Sequence, residues 1–529
     1  MKNRKILEIN ELSIKVNGDN EQTLVDKLSL SLDEGEILGL VGESGSGKTM
    51  TSLSILGLLP EDIKVVAGSI IYNGKDLLKE KEERLREIKG GEIAMIFQEP
   101  MTSLNPVLRL GYQVEEMLRL HKKMTKEEYK SKTIEALQEV GLKNPEEIYC
   151  KYPHQISGGM RQRVVIAMAM IAKPKILIAD EPTTALDIST QNKILSLLKE
   201  INIKHKTSII LISHDLAVVK SICKNVLVLK DGVNIEEGDI KSVFINPKND
   251  YTKSLVKSSV LFNKDIKKIY DKNINNIIEI KELTVFYNET NKSIFHNKKK
   301  VKVVDKVSFN IKEGEVFGIV GESGCGKSTL AKAIVGLNNN IEGEINLKGD
   351  MYTEEGYIVR PQMVFQDPYS SLNPSKKVRW IIEESVRNKT KIKKTEREDL
   401  VRKTIKLVGL EEKYLSRYIS QLSGGQRQRV AIATALILNP KLIILDEAVS
   451  SLDSTIQMQI LELLKKLKED LGLSYLFISH DLNVIKTICD RVAVMLNGKI
   501  REINNVKDIF ENPQDEYTKK LLKTTEIHH

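Results

Sequence analysis

The feature that most constrains the fold of this chain is a glycine-rich segment that occurs twice. Residues 42–49 have the sequence GESGSGKT, and residues 321–328 have the sequence GESGCGKS. Each segment follows a short apolar run, 37–41 or 316–320, and precedes a run that can be helical. In a strand–loop–helix setting, the G-x-x-x-x-G-K-[ST] pattern curls backbone N–H groups around phosphate oxygens, and its lysine adds positive charge. The chain is therefore predicted to bind two nucleoside triphosphates.

These two segments, called here the first and second phosphate loops, supply the candidate phosphate ligands. Those ligands are Gly42, Ser44, Gly45, Ser46, Gly47, Lys48 and Thr49 in the first loop region, and Gly321, Ser323, Gly324, Cys325, Gly326, Lys327, Ser328 and Thr329 in the second. The hydroxyls of Thr49 and Ser328 are also candidate Mg²⁺ ligands. The helix that follows each loop is expected to add its N-terminal dipole.

Length and composition narrow the class of protein. A chain of 529 residues is too long for one core and suggests two to four domains. The longest apolar run, 164–172, is far shorter than the roughly 18–20 residues that a membrane helix requires. Glu8 interrupts the N-terminal segment before a signal-peptide core can form, and the four cysteines have neither metal nor disulfide spacing. We therefore expect a cytosolic protein.

The net charge is +9, with lysine and arginine spread through the chain rather than gathered in one block. A lysine-rich proteome explains this better than nucleic-acid binding. Attraction to an anionic membrane surface stays open. Composition does not identify the partner.

The two halves of the chain repeat each other. Equivalent residues 266 positions apart are Ser157 and Ser423, Asp180 and Asp446, His214 and His480, and Tyr251 and Tyr517. About 95 residues thus align without a gap, and upstream differences fall where surface loops absorb insertions. We predict a first domain at 1–263, a polar linker at 264–276 and a second domain at 277–529.

Apolar runs alternate with amphipathic stretches in each half. Residues 176–179 and 209–212 are short, continuous and apolar, as strands buried on both faces should be. Residues 191–204, between them, have apolar residues at helical spacing. This alternation predicts an α/β fold with a parallel sheet.

An Asp-Glu pair follows a predicted buried strand in each half, as Asp180-Glu181 and Asp446-Glu447. Catalytic groups of open α/β sheets lie at the carboxyl ends of strands. An aspartate there can hold Mg²⁺ through water, and the glutamate can orient or deprotonate an attacking water. The alternative is that each Asp-Glu pair is an ordinary acidic turn after a strand. The phosphate loop upstream of each pair favours the catalytic interpretation.

Two further residue types recur at strand ends. His214 and His480 each lie in the sequence Ile-Ser-His-Asp, and their recurrence favours a γ-phosphate sensor over a structural histidine. Gln98 and Gln366 each end a short apolar segment, and Ser-Leu-Asn-Pro follows a few residues later in both halves. A glutamine after a strand is common, but its recurrence in the same sequence context in both halves favours a functional role over a chance match.

A Ser-Gly-Gly sequence is predicted to begin a helix in each half. Serine is a favoured N-cap, and the glycines permit close approach. The alternatives are a plain helix cap and a second helix end directed at phosphate. The candidate residues are Ser157, Gly158 and Gly159 in the first half and Ser423, Gly424 and Gly425 in the second.

Taken in order, the phosphate loop, glutamine, Ser-Gly-Gly, Asp-Glu and histidine resemble the nucleotide-binding domains of ABC ATPases. The resemblance covers nearly the whole chain in two copies. It implies two tandem P-loop NTPase domains, each with a mainly parallel sheet core, a β-subdomain and a helical signature subdomain, and it implies ATP and Mg²⁺ as cofactors. The implied catalytic residues are Glu181, Glu447, His214, His480, Gln98 and Gln366, and the implied Mg²⁺ ligands are Thr49, Gln98, Asp180, Ser328, Gln366 and Asp446.

In that family, two domains enclose ATP head to tail. The resemblance implies that the first phosphate loop faces Ser423–Gln426 and that the second faces Ser157–Met160. It also implies that Asp187 and Asp453 belong to a loop crossing the seam of this internal pseudo-dimer. Hydrolysis would then require closure, because neither half alone holds all the donors.

The ends of the two halves resemble the oligopeptide, dipeptide and nickel importer branch of the family. Residues 243–247 are followed by Tyr251-Thr-Lys, and residues 509–513 by Tyr517-Thr-Lys. This implies an ATP hydrolase at the cytoplasmic face of the membrane, with two permease subunits and a substrate-binding protein as partners and no nucleic acid. Peptide, nickel chelate, glutathione or another small solute all stay open as cargo.

Two departures from the branch pattern predict unequal ATP affinities. Tyr287 matches an aromatic residue on which adenine stacks, whereas Val16 stands at the equivalent place in the first half. Met50 also replaces the hydroxyl residue that is present as Thr329. Base–aromatic stacking is worth roughly 1–3 kcal/mol, so the first site is expected to hold ATP more weakly.

A soluble twin ATPase acting on ribosomes or DNA is the main alternative. Such proteins typically have a long charged linker or metal-binding insertions, and this chain has neither. The twin ATPase of a sugar importer is disfavoured because its second site is usually degenerate, whereas both sites are complete here.

Overall fold

The computed structural model describes residues 4–17, 22–98, 103–184, 186–260, 275–288, 300–347, 360–389, 392–450 and 452–526. They form two compact units that divide between Ser259 and Val260. Most of the predicted linker, 264–276, lies outside the described residues, and Asn276 is the first residue of a strand. The exact domain boundaries therefore stay a prediction.

The first unit contains a six-stranded and a four-stranded sheet. Its described strands are β1 Lys5–Val16, β2 Thr23–Asp33, β3 Ile37–Val41, β4 Ile63–Tyr72, β5 Lys75–Asp76, β6 Ile93–Ile96, β7 Ile176–Asp180, β8 Ser208–Ser213, β9 Asn225–Lys230 and β10 Val233–Asp239. The larger sheet has the order β10-β9-β3-β8-β7-β6, and the smaller has the order β2-β1-β4-β5. Strands β9, β3, β8, β7 and β6 run parallel, and β10 pairs antiparallel with β9.

Helices connect and cover these strands. The described α-helices of the first unit are Lys48–Ile55, Glu82–Ile88, Leu110–His121, Lys126–Glu139, Pro145–Cys150, Gly158–Met170, Ile188–His205, Leu216–Ile222, Ile240–Ile245 and Asp250–Val260, the last of which ends one residue past the division between the units. The predicted helix over 191–204 is confirmed within the longer Ile188–His205 helix. The predicted strands over 176–179 and 209–212 are confirmed within β7 and β8.

The second unit repeats this architecture. Its described strands are β11 Asn276–Asn288, β12 Lys300–Lys312, β13 Val316–Val320, β14 Ile341–Leu347, β15 Gln362–Val364, β16 Leu442–Asp446, β17 Ser474–Ile478, β18 Arg491–Leu496 and β19 Lys499–Asn505. Its described α-helices are Lys327–Ile334, Pro368–Ser371, Val378–Lys389, Lys394–Leu407, Gly424–Leu436, Ser454–Leu471, Leu482–Ile488, Val506–Glu511 and Glu516–Glu526. The sheet orders are β15-β16-β17-β13-β18-β19 and β12-β11-β14.

The strand before the first phosphate loop shows why this fold forms. All five residues of β3 are buried, and successive side chains point to opposite faces of the sheet. Ile37 and Val41 pack in the core that contains the helical residues, whereas Leu38 and Leu40 pack in the core beneath the antiparallel sheet. A parallel strand covered on both faces needs such a continuous apolar sequence. The predicted α/β class is therefore confirmed.

No helix among the described residues combines the length and the apolar character needed to cross a membrane.

Candidate functional site

The first phosphate loop joins β3 to the Lys48–Ile55 helix. Gly47, the residue before the helix, has φ +95°, a left-handed conformation that favours glycine. A Cβ on Gly42 would lie 2.3 Å from the Leu229 carbonyl oxygen, so the start of the loop has no room for a side chain. Ser44 and Gly45 at the tip are exposed, as are Ser323 and Gly324 in the second loop. Each loop therefore presents its tip to solvent from a tightly packed base.

The lysine of each loop is buried against backbone oxygens. Lys48 is 6% exposed and donates from Nζ to the carbonyl oxygens of Gly42 at 2.7 Å and Glu43 at 2.8 Å. The same nitrogen also donates to Ser46 Oγ at 3.3 Å. The ammonium group thus lies inside the curl of the loop, where a triphosphate would supply stronger anionic partners.

The second loop repeats this arrangement with one sulfur substitution. Lys327 Nζ donates to the carbonyl oxygens of Gly321 at 2.7 Å and Glu322 at 3.1 Å. Cys325 replaces the serine, and its Sγ lies 4.0 Å from the same ammonium nitrogen. Burial raises the pKa of the Cys325 thiol more than the nearby lysine lowers it, which favours the neutral thiol.

The hydroxyl of the residue after each lysine donates to the aspartate that ends strand β7 in the first unit and strand β16 in the second. Thr49 Oγ1 donates to Asp180 Oδ2 at 3.0 Å, and Ser328 Oγ donates to Asp446 Oδ1 at 3.0 Å. Burial, with the adjacent Glu181 charge, raises the pKa of Asp180 to about 6, and burial likewise raises the pKa of Asp446. Each site therefore combines a hydroxyl and a desolvated carboxyl.

The glutamate after the aspartate is the centre of a hydrogen-bond cluster in the first unit. Glu181 Oε2 accepts from Gln98 Nε2 at 2.9 Å and from Thr184 Oγ1 at 2.9 Å. Glu181 Oε1 lies 3.1 Å from His214 Nδ1. Burial raises the pKa of Glu181, but the hydrogen bonds and charge of His214 and the Thr184 hydroxyl outweigh it and lower that pKa to about 2.

The pKa of the paired histidine shifts in the opposite direction. Burial lowers the pKa of His214, but its hydrogen bond to Glu181 and the glutamate charge raise it above the ordinary value. His480 shows the same balance beside Glu447. The structure thus favours a carboxylate paired with a histidine in each unit.

The second unit assembles the same groups with a different oxygen pattern. Glu447 Oε2 accepts from Gln366 Nε2 at 2.7 Å and lies 3.4 Å from His480 Nδ1. Ser450, the equivalent of Thr184, donates to the Glu447 backbone carbonyl at 2.9 Å rather than to its carboxylate. The two carboxylates are therefore not held identically.

Both glutamates have an uncommon backbone conformation. Glu181 has φ +47° and Glu447 has φ +48°, in the left-handed region. Their N–H groups donate to the carbonyl oxygens of Ile212 at 3.0 Å and Ile478 at 2.9 Å, which anchor the turn to the sheet. Such conformations cost of order 1–3 kcal/mol and cluster at functional sites. In this conformation each carboxylate contacts its glutamine and lies beside its histidine.

The Ser-Gly-Gly segments begin helices, as predicted. Ser157 Oγ accepts from the Met160 N–H at 3.4 Å at the start of the Gly158–Met170 helix. Ser423 accepts from the Gln426 N–H at 3.4 Å, and the Gln426 side chain accepts in return from the Ser423 N–H at 3.1 Å. We call the helices that begin at these two segments, Gly158–Met170 and Gly424–Leu436, the signature helices, and the second has a reciprocal cap.

The second glycine of each segment packs against the helix after the Asp-Glu turn. A Cβ on Gly159 would lie 2.6 Å from Thr190 Cγ2, and a Cβ on Gly425 would lie 2.6 Å from Ile456 Cγ2. Asp187 and Asp453 cap those neighbouring helices through the N–H groups of Thr190 and Ile456. Around Gly158 and Gly424, by contrast, only ordinary van der Waals contacts would form.

Tyr287 and Val16 occupy equivalent positions near the ends of β11 and β1. Three residues earlier in each strand, Ser13 Oγ accepts from the Lys27 N–H and Thr284 Oγ1 from the Lys306 N–H, which fixes the alignment. Tyr287 is 42% exposed, so its ring is open to a planar partner. Its role and that of Val16 stay predictions.

In each unit the structure brings together the phosphate-loop lysine, the hydroxyl, the Asp-Glu pair, the glutamine and the histidine. It places each Ser-Gly-Gly segment at a helix start within its own unit, and which phosphate loop that segment faces stays a prediction. Sequence reasoning missed Thr184 as a partner of Glu181. Its recurrence as Ser450, three residues after a glutamate in both halves, was the available signal.

Sequence reasoning also gave no role to the hydroxyl of the recurring tail tyrosine. The Glu43 N–H donates to Tyr251 Oη at 3.0 Å, and the Glu322 N–H donates to Tyr517 Oη at 3.3 Å. Each tyrosine therefore touches the second residue of its own phosphate loop.

Two parallel α/β sheets, each with a phosphate loop beside an Asp-Glu pair, define a P-loop NTPase with two nucleotide sites. The sequence matches the ABC transporter family over residues 25–184 and 304–450. The chain belongs to that family and is an ATP hydrolase with two ATP-binding cassettes.

Curated relatives match over almost the full length. The Escherichia coli K12 protein named uncharacterized ABC transporter ATP-binding protein YejF is 42% identical, over 95% of this chain and 96% of its own. The Agrobacterium fabrum peptidoglycan transport ATP-binding protein YejF is 40% identical, over 98% and 96%. The Pectobacterium atrosepticum glutathione import ATP-binding protein GsiA is 37% identical, over 99% and 90%.

A solved structure supports the fold of the two units. A chain in the complex of archaeal ribosomal stalk protein aP1 and archaeal ribosome recycling factor aABCE1 aligns with a TM-score of 0.60, covering 94% of this chain and 90% of that one. The sequence identity is 20%, so this likeness concerns the fold alone.

Proposed function

We propose that this chain powers import of peptides or a related small solute through separate membrane permease subunits. The observation that most supports this is the 37% identity to a glutathione import ATP-binding protein over 99% of the chain. A relative named for peptidoglycan transport points to the same chemical class, since both names concern peptide-containing solutes. Peptides are the favoured cargo, with glutathione and a nickel chelate as alternatives.

The proposed chemistry is attack of water on the γ-phosphate of ATP. Glu181 and Glu447 orient and deprotonate the water, and His214 and His480 contact the γ-phosphate. The low pKa of Glu181 keeps it ionised at neutral pH, ready to accept a hydrogen bond from water. The buried loop lysines bind the phosphates when the triphosphate displaces the weaker carbonyl partners.

The residues also fit Mg²⁺. Thr49 with Asp180, and Ser328 with Asp446, offer hard oxygen donors at one point of each site. Gln98 and Gln366 bond the adjacent glutamates through their amide nitrogens, and we propose their side-chain oxygens as further ligands. No group of three or more His, Cys, Asp or Glu side chains with metal-site geometry occurs in the described residues. Mg²⁺ is usually bound by one or two carboxylates together with substrate phosphates, so this donor set suits it. When bound, Mg²⁺ neutralises charge on the phosphates.

The proposed arrangement of the two halves is the head-to-tail internal pseudo-dimer. Each phosphate loop then works with the Ser-Gly-Gly helix of the other half, Ser423–Gln426 for the first loop and Ser157–Met160 for the second. The exposure of Ser157 and Gly158, and of Ser423 and Gly424, supports this role, because the N-terminus of a helix favours an anion.

Coupling to the permeases is proposed at the surface beside Gln98 and Gln366. Phe97 and Phe365, which precede the two glutamines, are 43% and 37% exposed, and Tyr369 is 48% exposed. Exposed aromatic side chains are typical of protein–protein interfaces, and the two phenylalanines adjoin the glutamines that bond the proposed catalytic glutamates. The chain would therefore act at the cytoplasmic face of the membrane, with a substrate-binding protein supplying cargo.

Reconstitution tests the proposal. The chain is combined in proteoliposomes with candidate permease subunits and a candidate binding protein from the same cell, and uptake of labelled peptides, glutathione and a nickel chelate is measured with ATP inside. We expect uptake of a peptide-class solute that is lost with Glu181→Gln and Glu447→Gln. Stable association with ribosomes, without ATP-dependent uptake or binding to the permeases, would contradict it.

A further inference from the structure

The last helix of each unit contacts the phosphate loop through one tyrosine hydroxyl. Tyr251 accepts from the Glu43 N–H, 208 residues away in sequence, and Tyr517 accepts from the Glu322 N–H, 195 residues away. We propose that Tyr251 and Tyr517 are positioning residues that fix the phosphate loops for ATP. This inference rests on the proposed role of those loops.

The residue whose N–H the tyrosine contacts also holds the loop lysine. In the first unit, the Glu43 carbonyl accepts from Lys48 Nζ at 2.8 Å and from the Ser46 N–H at 3.1 Å. Tyr251 therefore holds the N–H side of a residue whose carbonyl side orients the lysine. Loss of the hydroxyl frees the start of the loop to rotate, which moves the ammonium group relative to the phosphates.

The second unit shows the same relationship independently. The Glu322 carbonyl accepts from Lys327 Nζ at 3.1 Å and from the Cys325 N–H at 3.3 Å, while its N–H donates to Tyr517. The repeat holds although Cys325 differs from the serine of the first loop. The tyrosine contact is present in both units although the loop sequences differ at this position. A role in holding the loop explains this better than local packing does.

Each tyrosine is itself held in place by the strand beneath it. The Glu236 carboxylate in β10 accepts from the N–H groups of Lys248 at 2.9 Å and Asn249 at 3.1 Å, and Asn249 Oδ1 accepts from the Tyr251 N–H at 2.9 Å. Lys230 Nζ lies 5.0 Å from the centre of the Tyr251 ring. These contacts tie the tyrosine to the sheet that carries the loop.

The second unit builds its anchor with equivalent groups. Glu502 in β19 accepts from the N–H groups of Gln514 at 2.9 Å and Asp515 at 3.1 Å, and Asp515 Oδ1 accepts from the Tyr517 N–H at 2.8 Å. The hydroxyl is thus a fixed acceptor rather than a group on a free side chain.

The test uses full-length chains in which only one loop binds ATP. Tyr251→Phe is placed in the Lys327→Ala background and Tyr517→Phe in the Lys48→Ala background, and binding of a fluorescent ATP analogue with Mg²⁺ is measured. We expect each change to weaken binding by about three- to tenfold, the size of one neutral hydrogen bond. In the chain with both lysines intact, the double Tyr→Phe variant should raise KM for ATP more than it lowers kcat.

Tyr129→Phe is the matched control. Its hydroxyl also accepts a backbone N–H, from Met124 at 3.2 Å, and donates to the Lys122 carbonyl, within the helical part of the first unit. It should leave ATP affinity unchanged. Unaltered affinity in both tail variants would overturn the inference, as would a loss that is matched by Tyr129→Phe or that accompanies a larger fall in thermal midpoint than this control shows.

Failure of the loops themselves is distinguishable. If the chain with both Lys48→Ala and Lys327→Ala binds ATP as well as the unaltered chain, the proposed role of the phosphate loops is wrong. If that variant loses binding while the tyrosine variants retain full affinity, only the positioning role is wrong.

Discussion

Gln98 Nε2 donates to Glu181 Oε2 at 2.9 Å, which joins the end of β6 to the turn after β7. The equivalent bond between Gln366 and Glu447 is 2.7 Å long. The glutamine that borders the proposed permease surface is thus in direct contact with the proposed catalytic base. This hydrogen bond gives the proposed coupling a physical route, because displacement of the glutamine would break it.

Replacing both glutamates with glutamine should stop turnover and retain ATP. Glu181→Gln with Glu447→Gln keeps the side-chain volume but removes the carboxylates that would accept a proton from water. General-base catalysis is typically worth about 10²–10⁴-fold, so kcat should fall by at least about 100-fold. Phosphate release and ATP binding are measured on the same preparation, and robust hydrolysis by this variant would place the base elsewhere.

The two sites should differ in ATP affinity. Tyr287 offers an exposed ring to adenine, whereas Val16 stands at the equivalent position. Stacking is worth roughly 1–3 kcal/mol, so Val16→Tyr should tighten the first site and Tyr287→Val should weaken the second, each by about 5- to 150-fold. Binding is measured with the two glutamates replaced by glutamine to block turnover, and equal affinities of the unaltered sites would refute this.

Gly158→Ala should reduce ATP hydrolysis without reducing the stability of the fold. The nearest heavy atom to a Cβ there is Leu186 Cδ2 at 3.9 Å, so the substitution fits the unit itself. If this glycine meets a triphosphate, ATP hydrolysis should fall by about 10- to 100-fold at an unchanged thermal midpoint. Gly159→Ala is the contrasting variant, because its Cβ would clash with Thr190 and should lower the midpoint.

Glu383 should contribute to the stability of the fold in a pH-dependent way. Burial raises its pKa, but Arg397 at 3.0 Å and Arg387 at 3.1 Å outweigh this and hold the pKa below its ordinary value. The stabilisation is therefore present above the unfolded-state pKa and is lost as pH falls through the lower folded-state pKa. Glu383→Gln should cost about 1.5–3 kcal/mol at pH 7, and the difference should narrow in acid.

Thermal unfolding at pH 7 and pH 4 checks this. Glu147→Gln is the control, because Glu147 pairs with Lys151 on an exposed surface, where ion pairs contribute little. An equal effect of both substitutions at pH 7, or a Glu383→Gln effect that does not shrink in acid, would show that the two arginines do not stabilise the ionised carboxylate.

The sequence predicted the parts of the fold that depend on local pattern. Continuous apolar runs gave β7 and β8, and serine before two glycines gave both signature-helix starts. The rule that parallel strands place their carboxyl ends at one edge also predicted the position of the Asp-Glu pair. That this pair meets the glutamine and the histidine in one site was implied by the resemblance to ABC ATPases.

Contacts between distant segments could not be predicted in this way. The bond of Tyr251 to Glu43 depends on where the last helix packs, which no local pattern encodes. The different partners of Thr184 and Ser450 depend on hydroxyl rotamers in two nearly identical turns. The left-handed conformation of Glu181 was also invisible, because its sequence offers no glycine there.

The central claim is that each phosphate loop works with the signature helix of the other half. ATP hydrolysis by two double variants tests it directly. Lys48 and Gly424 belong to the same ATP site under this account. The Lys48→Ala, Gly424→Ala double variant should therefore keep at least the activity of the less active of its two single variants. Lys48→Ala with Gly158→Ala damages both sites and should lose the remaining activity. The reverse order of the two double variants would contradict the account.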